Sequence, residues 1–186
     1  LLASHGFHFS KAKGQNFLIA SWVPQQIAED AGVDRSAGVL EIGPGIGPLT
    51  QQLCLRAGKV VACELDERLK PILDLSVGEF DNLEIIWQDV LKTDVKALVA
   101  EKFQGLRPMA CANLPYYITT PIIMKFVEDC VFPDKFVIMV QKEVAYRLSS
   151  KVGSRDYGSL TVFLNYYYDI KKLFDVGRNC FTPKPN

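Results

Sequence analysis

Apolar residues fall into short runs separated by stretches in which they recur every three or four positions, and this rhythm repeats along most of the chain. Residues 39–42, 59–64, 83–87 and 107–112 read as strands, and so does the run Phe136-Val137-Ile138-Met139-Val140. Between and after them, residues 48–57, 66–75, 94–103, 119–130, 142–150 and 158–166 read as helices, with a loop around Gly153–Asp156 and a last strand near 168–176. Ser21 stands before Trp22–Ala31 as an N-cap, which predicts one helix ahead of the sheet. Strands that are apolar throughout and alternate with helices predict an α/β fold, a mainly parallel sheet with helices on both faces.

Composition adds limits rather than direction. The 186 residues suffice for one domain with a real core, and 48% apolar with 23% charged residues is an ordinary globular balance. No stretch is long enough to span a membrane and the first residues lack a secretory core, so a cytoplasmic protein with no membrane partner is expected. Cys54, Cys63, Cys111, Cys130 and Cys180 are scattered, odd in number and mostly within apolar runs, which predicts buried reduced thiols and no metal site. His5 and His8 are the only histidines and lie near the terminus, so an imidazole base is not expected.

The formal charge is zero but unevenly placed. Residues 1–20 carry Lys11 and Lys13 and no acid, residues 140–186 carry eight basic residues against four acids, and the middle holds eleven against seventeen. This pattern suits a basic face for a phosphate backbone beside an acidic ligand-binding half, or simply solvated surface charge.

The strand Val39-Leu40-Glu41-Ile42 runs into Gly43-Pro44-Gly45-Ile46-Gly47 and then a helix. Alternating glycines turn the backbone tightly and let a ligand approach where a Cβ would collide. The spacing is G-x-G-x-G after an acid, a pattern associated with S-adenosylmethionine-dependent methyltransferases, although a turn needed only for packing has the same composition. Glu64 closes the next strand about twenty residues later, where a carboxylate accepts from ribose hydroxyls or caps the following helix. Asp89 follows the third strand, placed to accept from an adenine amine, with helix capping again the alternative. After the fourth strand come Asn113-Leu114-Pro115-Tyr116. There the Asn113 oxygen and a carbonyl near Leu114 or Pro115 accept from an aromatic amine, favouring a pyramidal nitrogen. Pro115 stiffens the turn, and Tyr116 offers a face for an extruded base, worth about 1–3 kcal/mol. An ordinary Asn-Pro turn is the plain alternative.

The chain resembles the KsgA-type ribosomal RNA adenine dimethyltransferases of the bacterial branch nearly end to end. The resemblance rests on Gly14-Gln15-Asn16-Phe17-Leu18, Leu40–Gly47, Asn113–Pro121, Gln141-Lys142-Glu143-Val144-Ala145, Tyr157-Gly158-Ser159-Leu160 and Phe181-Thr182-Pro183-Lys184-Pro185. It implies a Rossmann-like class I S-adenosylmethionine-dependent methyltransferase domain over 21–186, with residues 1–20 as an arm over the cofactor site. It also implies that Asn16, Leu18, Gly43, Gly45, Glu64, Asp89 and Asn113 contact S-adenosylmethionine or line its site. The implied activity is dimethylation of the N6 amines of two adjacent adenosines near the 3′ end of small-subunit rRNA, within an immature ribosomal subunit. Phe181 is expected on the other face of the base from Tyr116, and Lys11, Lys13, Lys142, Arg147, Lys151 and Arg155 along the RNA; a monomer is expected. The family pattern extends beyond Asn186 into one more sheet strand and a small helical domain, and the sequence begins without Met, so a fragment is expected. Two other classes stay open: a DNA adenine or other amine methyltransferase, which uses a similar Asn-Pro-aromatic loop, and a methyltransferase-like assembly or transcription factor without catalysis.

Overall fold

A computed structural model describes residues 16–114, 117–129, 131 and 133–185. The chain runs β1 (Phe17–Leu18), α1 (Trp22–Ala31), β2 (Ala37–Ile42), α2 (Pro48–Arg56), β3 (Lys59–Glu64), α3 (Lys70–Val77), β4 (Leu83–Trp87) and α4 (Val95–Lys102). It continues with β5 (Arg107–Asn113), α5 (Thr119–Glu128), β6 (Lys135–Met139), α6 (Lys142–Leu148), α7 (Ser159–Tyr167) and β7 (Phe181–Thr182). Five strands form one sheet in the order β4-β3-β2-β5-β6, and every pairing within it is parallel. β2 occupies the centre with all six residues buried, the outcome expected for a strand covered by helices on both faces.

The two faces bury separate apolar layers. Val39, Val60, Met109 and Cys111 pack with α1 and α2, whereas Leu40, Val61, Ala110 and Ala112 pack with α4 and α5. Alternation along each strand sorts these sets, because neighbouring side chains point to opposite faces. A smaller cluster joins Phe17 to Leu69, Leu73 and Val77 around α3, and another joins α5 to α6 and α7 through Ile123, Leu148 and Leu164. Cys54, Cys63 and Cys111 are free and buried, and burial pushes the first two thiols up to about 12 and about 11, so they are unreactive near neutrality. No helix among the described residues is long and apolar enough to cross a membrane.

Three local expectations need correction. Ser21 precedes α1 but makes no side-chain capping bond, because its backbone is already helical at φ −64° and ψ −27° and a capping residue needs an extended one. The helix predicted at 66–75 begins as a 3₁₀ turn, Glu67–Leu69, and becomes α-helical only from Lys70 to Val77. Pro71 has no N–H for the bond back to residue 67, which removes the α-helical ladder there. The strand predicted at 168–176 is not formed: Phe174 and Val176 pack on the α1 face and Tyr168 and Ile170 beside α7, without a ladder. Among the described residues β6 pairs only with β5, and residues of β6 and of the 168–176 segment line one cleft without pairing. An apolar segment without a hydrogen-bonded neighbour buries side chains without becoming a strand.

Candidate functional site

β2 lies between β3 and β5, and the connections from β2 run to β3 on one side and from β4 back to β5 on the other. The sheet reverses direction of growth there, so the carboxyl ends of β2 and β5 open into a crevice. A cleft of about 1700 Å³ starts at this point and extends past β6 to the 168–177 segment.

The glycine turn forms its floor. Gly43, Gly45 and Gly47 have φ of +71°, +60° and +92°, which L side chains rarely adopt. The Gly43 N–H donates to the Cys63 carbonyl at 2.9 Å, so the turn is tied to the end of β3. Two glycines do different jobs. A Cβ on Gly47 would sit 2.8 Å from Ser76 Oγ and 3.0 Å from a Val77 methyl, so this glycine serves packing against α3. A Cβ on Gly43 would meet nothing within 4 Å among the described residues, which leaves open space there in front of its backbone.

Glu64 closes β3 as a buried carboxylate. Its Oε1 accepts from the backbone N–H groups of Leu65 at 2.9 Å and Asp66 at 2.8 Å, and its Oε2 accepts from Gly45 N–H at 3.2 Å. The carboxylate therefore caps the following turn and also clamps the glycine turn. Among the described residues these three donors leave one of about four lone-pair directions, on Oε2, for a ligand hydroxyl. Burial raises its pKa, partly offset by these N–H donors. Asp66, absent from the residues singled out in the sequence, is also buried at the cleft wall and is held by Arg68 Nε at 2.7 Å and Nη2 at 2.5 Å. Its position two residues after Glu64 was the available signal.

Asp89 follows β4, and its Oδ1 accepts from Leu91 N–H at 3.0 Å, capping the 3₁₀ turn Val90–Lys92. Capping and a place on the cleft wall coexist, since Asp89 also lines the cleft beside Gln88. Asn113 ends β5 half-buried, and Leu114 N–H donates to the Met139 carbonyl at 3.1 Å, which fixes the start of the loop against β6. Pro115 and Tyr116 lie outside the described residues; Tyr117, just beyond, is exposed at the cleft mouth.

β1 and β7 bring residues 17–18 and 181–182 together. Phe17 pairs with Thr182 and Leu18 with Phe181, antiparallel, and Ile19 N–H donates to the Cys180 carbonyl at 2.8 Å. Asn16, Leu18 and Phe181 consequently reach the same cleft as Gly43, Gly45, Glu64, Asp89, Asn113 and Leu114. Lys142 lines the cleft as well, while Arg147 on α6 and Lys151 and Arg155 in the next loop are exposed beyond it. Lys11 and Lys13 lie outside the described residues. Among the described residues no cluster of His, Cys, Asp or Glu is arranged to hold a metal ion.

Glu41, the acid that precedes the glycine turn, is 1% exposed on central strand β2 and lines the cleft. Burial pushes its carboxyl up to about 8, with the Glu64 charge adding to the effect and the Thr50 hydroxyl opposing it. Among the described residues its Oε2 has no hydrogen-bond partner, nor does Thr50 Oγ1, so that hydroxyl lies near enough to favour the ionised form without a fully formed bond.

A family model described as "Ribosomal RNA adenine dimethylase" matches residues 6–186. Curated relatives called "Ribosomal RNA small subunit methyltransferase A" from Geobacillus thermodenitrificans and Bacillus licheniformis are 50% and 48% identical over all of this chain. The chain spans 64% of the length of each. Among solved structures, a dimethyladenosine transferase from Plasmodium falciparum superposes with a TM-score of 0.76 at 31% identity, covering 91% of this chain and 59% of that one. The 23S rRNA methyltransferase ErmE superposes with a TM-score of 0.70 at 27% identity, covering 92% of this chain and 66% of that one.

Proposed function

The chain belongs to the ribosomal RNA adenine dimethylase family, and from that premise we propose that its cleft binds S-adenosylmethionine and transfers methyl groups to the N6 amines of two adjacent adenosines near the 3′ end of small-subunit rRNA. The observation that carries the reading is convergence: the glycine turn, Glu64, Asp89 and Asn113 come from four successive strand ends yet face one cleft. The residues also fit the cofactor's chemistry. Open space in front of Gly43 admits close approach to backbone, and the unpartnered Glu41 oxygen below the turn suits a ligand that carries positive charge.

The cofactor, when bound, supplies an activated methyl group on a sulfonium. Glu64 would accept from a ribose hydroxyl through its remaining Oε2 direction, and Asp89 would accept from the adenine amine. Asn16 and Leu18, held by the β1–β7 pairing, would close the cleft from above. Asn113 would accept a hydrogen bond from the target amine and turn its lone pair toward the methyl group, a gain from orientation rather than proton abstraction. Tyr116 and Phe181 would enclose the extruded base. The nitrogen becomes acidic as it gains the methyl group, so no strong base is required.

Arg147, Lys151 and Arg155 are exposed and make no ion pair among the described residues, whereas Lys171 and Lys172 are paired with Asp169 and Asp175. The unpaired set, with Lys142 and the arm's Lys11 and Lys13, would contact phosphates without regard to sequence. The substrate would be an immature small subunit, met where ribosomes are assembled. The test is transfer of labelled methyl groups to immature small subunits, free RNA and duplex DNA, with dimethyladenosine as product. Labelling of DNA alone, or no labelling while cofactor still binds, would overturn the reading.

A further inference from the structure

The buried carboxyl of Glu41 is not explained by the fold. Its strand neighbours Val39 and Cys111 are apolar core, and a glutamate there costs stability unless something uses its charge. Three observations converge. The side chain is 1% exposed, it lines the cleft beside the glycine turn, and among the described residues its Oε2 lacks a hydrogen-bond partner, as does Thr50 Oγ1 beside it. A buried polar pair left unsatisfied is costly and calls for an explanation, and a ligand that completes it supplies one.

The groups around Glu41 set its charge state. Glu64 on β3 faces it and opposes ionisation; Cys54 on α2 and Cys111 on β5 interact with it and are themselves pushed up, so they stay neutral. Thr50 on α2 offers a hydroxyl, and the buried face of α1 is apolar. No basic group among the described residues acts on Glu41. A carboxyl in that setting holds its proton at neutral pH, and burial is the main cause.

We propose that Glu41 carries a proton in the ligand-free protein and releases it to solvent when the positively charged cofactor binds, so that cofactor affinity is coupled to pH through this one carboxyl. The inference rests on the cofactor reading above. S-Adenosylmethionine carries a sulfonium and an ammonium against one carboxylate, and a net positive ligand beside a buried carboxyl favours its ionised form. Ionised Glu41 then accepts fully from Thr50 and retains acceptor capacity toward the ligand. Glu41 acts here as a charge-matching residue; no bond to it is made or broken in methyl transfer.

Calorimetry with S-adenosylmethionine in buffers of different ionisation enthalpy reads the proton count directly. At pH 7 the chain should release close to one proton per cofactor bound, and the dissociation constant should fall roughly tenfold per pH unit until the ligand-free carboxyl itself ionises. Glu41→Gln, which keeps size and cannot ionise, should bind without that release and with an affinity nearly independent of pH over the same range. Infrared difference spectra of the ligand-free protein should show a protonated carboxyl at neutral pH that is missing in Glu41→Gln. Cofactor binding without proton release, or equal release in Glu41→Gln, would overturn this inference and leave the cofactor reading intact. A carboxyl already ionised in the ligand-free protein at pH 6 would overturn it as well. Absence of binding at any pH, with the protonated carboxyl present, would overturn the cofactor reading and this coupling together.

Discussion

Replacing Glu64 by alanine should damage two things that can be measured apart. In the ligand-free protein the carboxylate accepts from Leu65, Asp66 and Gly45, so truncation leaves three backbone donors without their acceptor. A hydrogen bond to a charged group contributes about 1.5–3 kcal/mol net. Three bonds to one carboxylate are not additive, and burial already opposes its ionisation, so the sum must be discounted. Leu65 is exposed, and water can replace the acceptor there. The expected loss is about 2–4 kcal/mol of stability, followed by urea unfolding. Cofactor affinity, corrected for any unfolded fraction, should fall by a further 1–3 kcal/mol, roughly 5- to 150-fold in Kd, because the last free direction on Oε2 is lost. Glu64→Gln keeps one accepting oxygen and can satisfy either Gly45 or the Leu65–Asp66 pair, so it should fall between the two in stability. Unchanged stability of Glu64→Ala would refute the structural clamp, and unchanged Kd in a folded variant would refute the ribose contact.

Asn113→Ala should lower methyl transfer by orders of magnitude while shifting cofactor Kd much less, measured by single-turnover transfer and calorimetry; equal losses in both would make Asn113 a cofactor ligand instead. Gly47→Ala should cost about 2–4 kcal/mol in thermal or urea unfolding through its φ of +92° and the contacts with Ser76 and Val77. Gly43→Ala should be milder in stability, about 1–2 kcal/mol, yet impair cofactor binding more, since its methyl group would project into open cleft. The ligand-free protein should lose stability as pH rises from about 5 to 8, because the unfolded Glu41 ionises near its ordinary value while the folded one keeps its proton until about 8. Glu41→Gln should flatten that slope in urea unfolding followed across the range; an unchanged slope would move the effect to another group.

How much of this was legible in the sequence varies with the range of the interaction. The five strands and the helices between them follow from local periodicity, since a strand buried on both faces must be apolar throughout and a helix must repeat every three to four residues. The glycine turn, Glu64, Asp89 and Asn113 were readable for a related reason: in a parallel sheet each strand end delivers its next residues to the same edge, so order along the chain becomes position around the cleft. Residues 168–176 show where this reasoning stops. Their composition is that of a strand, yet strand formation depends on a hydrogen-bonding neighbour that composition does not reveal. The same holds for the antiparallel pair that joins Phe17–Leu18 to Phe181–Thr182, two dipeptides more than 160 residues apart in the chain. Whether Glu64 caps a turn or clamps a ligand was open in the sequence, and only the tertiary contact with Gly45 shows one carboxylate committed mostly to backbone with a single direction left over. The proton on Glu41 is the furthest from sequence, because a side chain's charge state is set by what lies within a few ångströms of it, and those neighbours come from α2, β3 and β5.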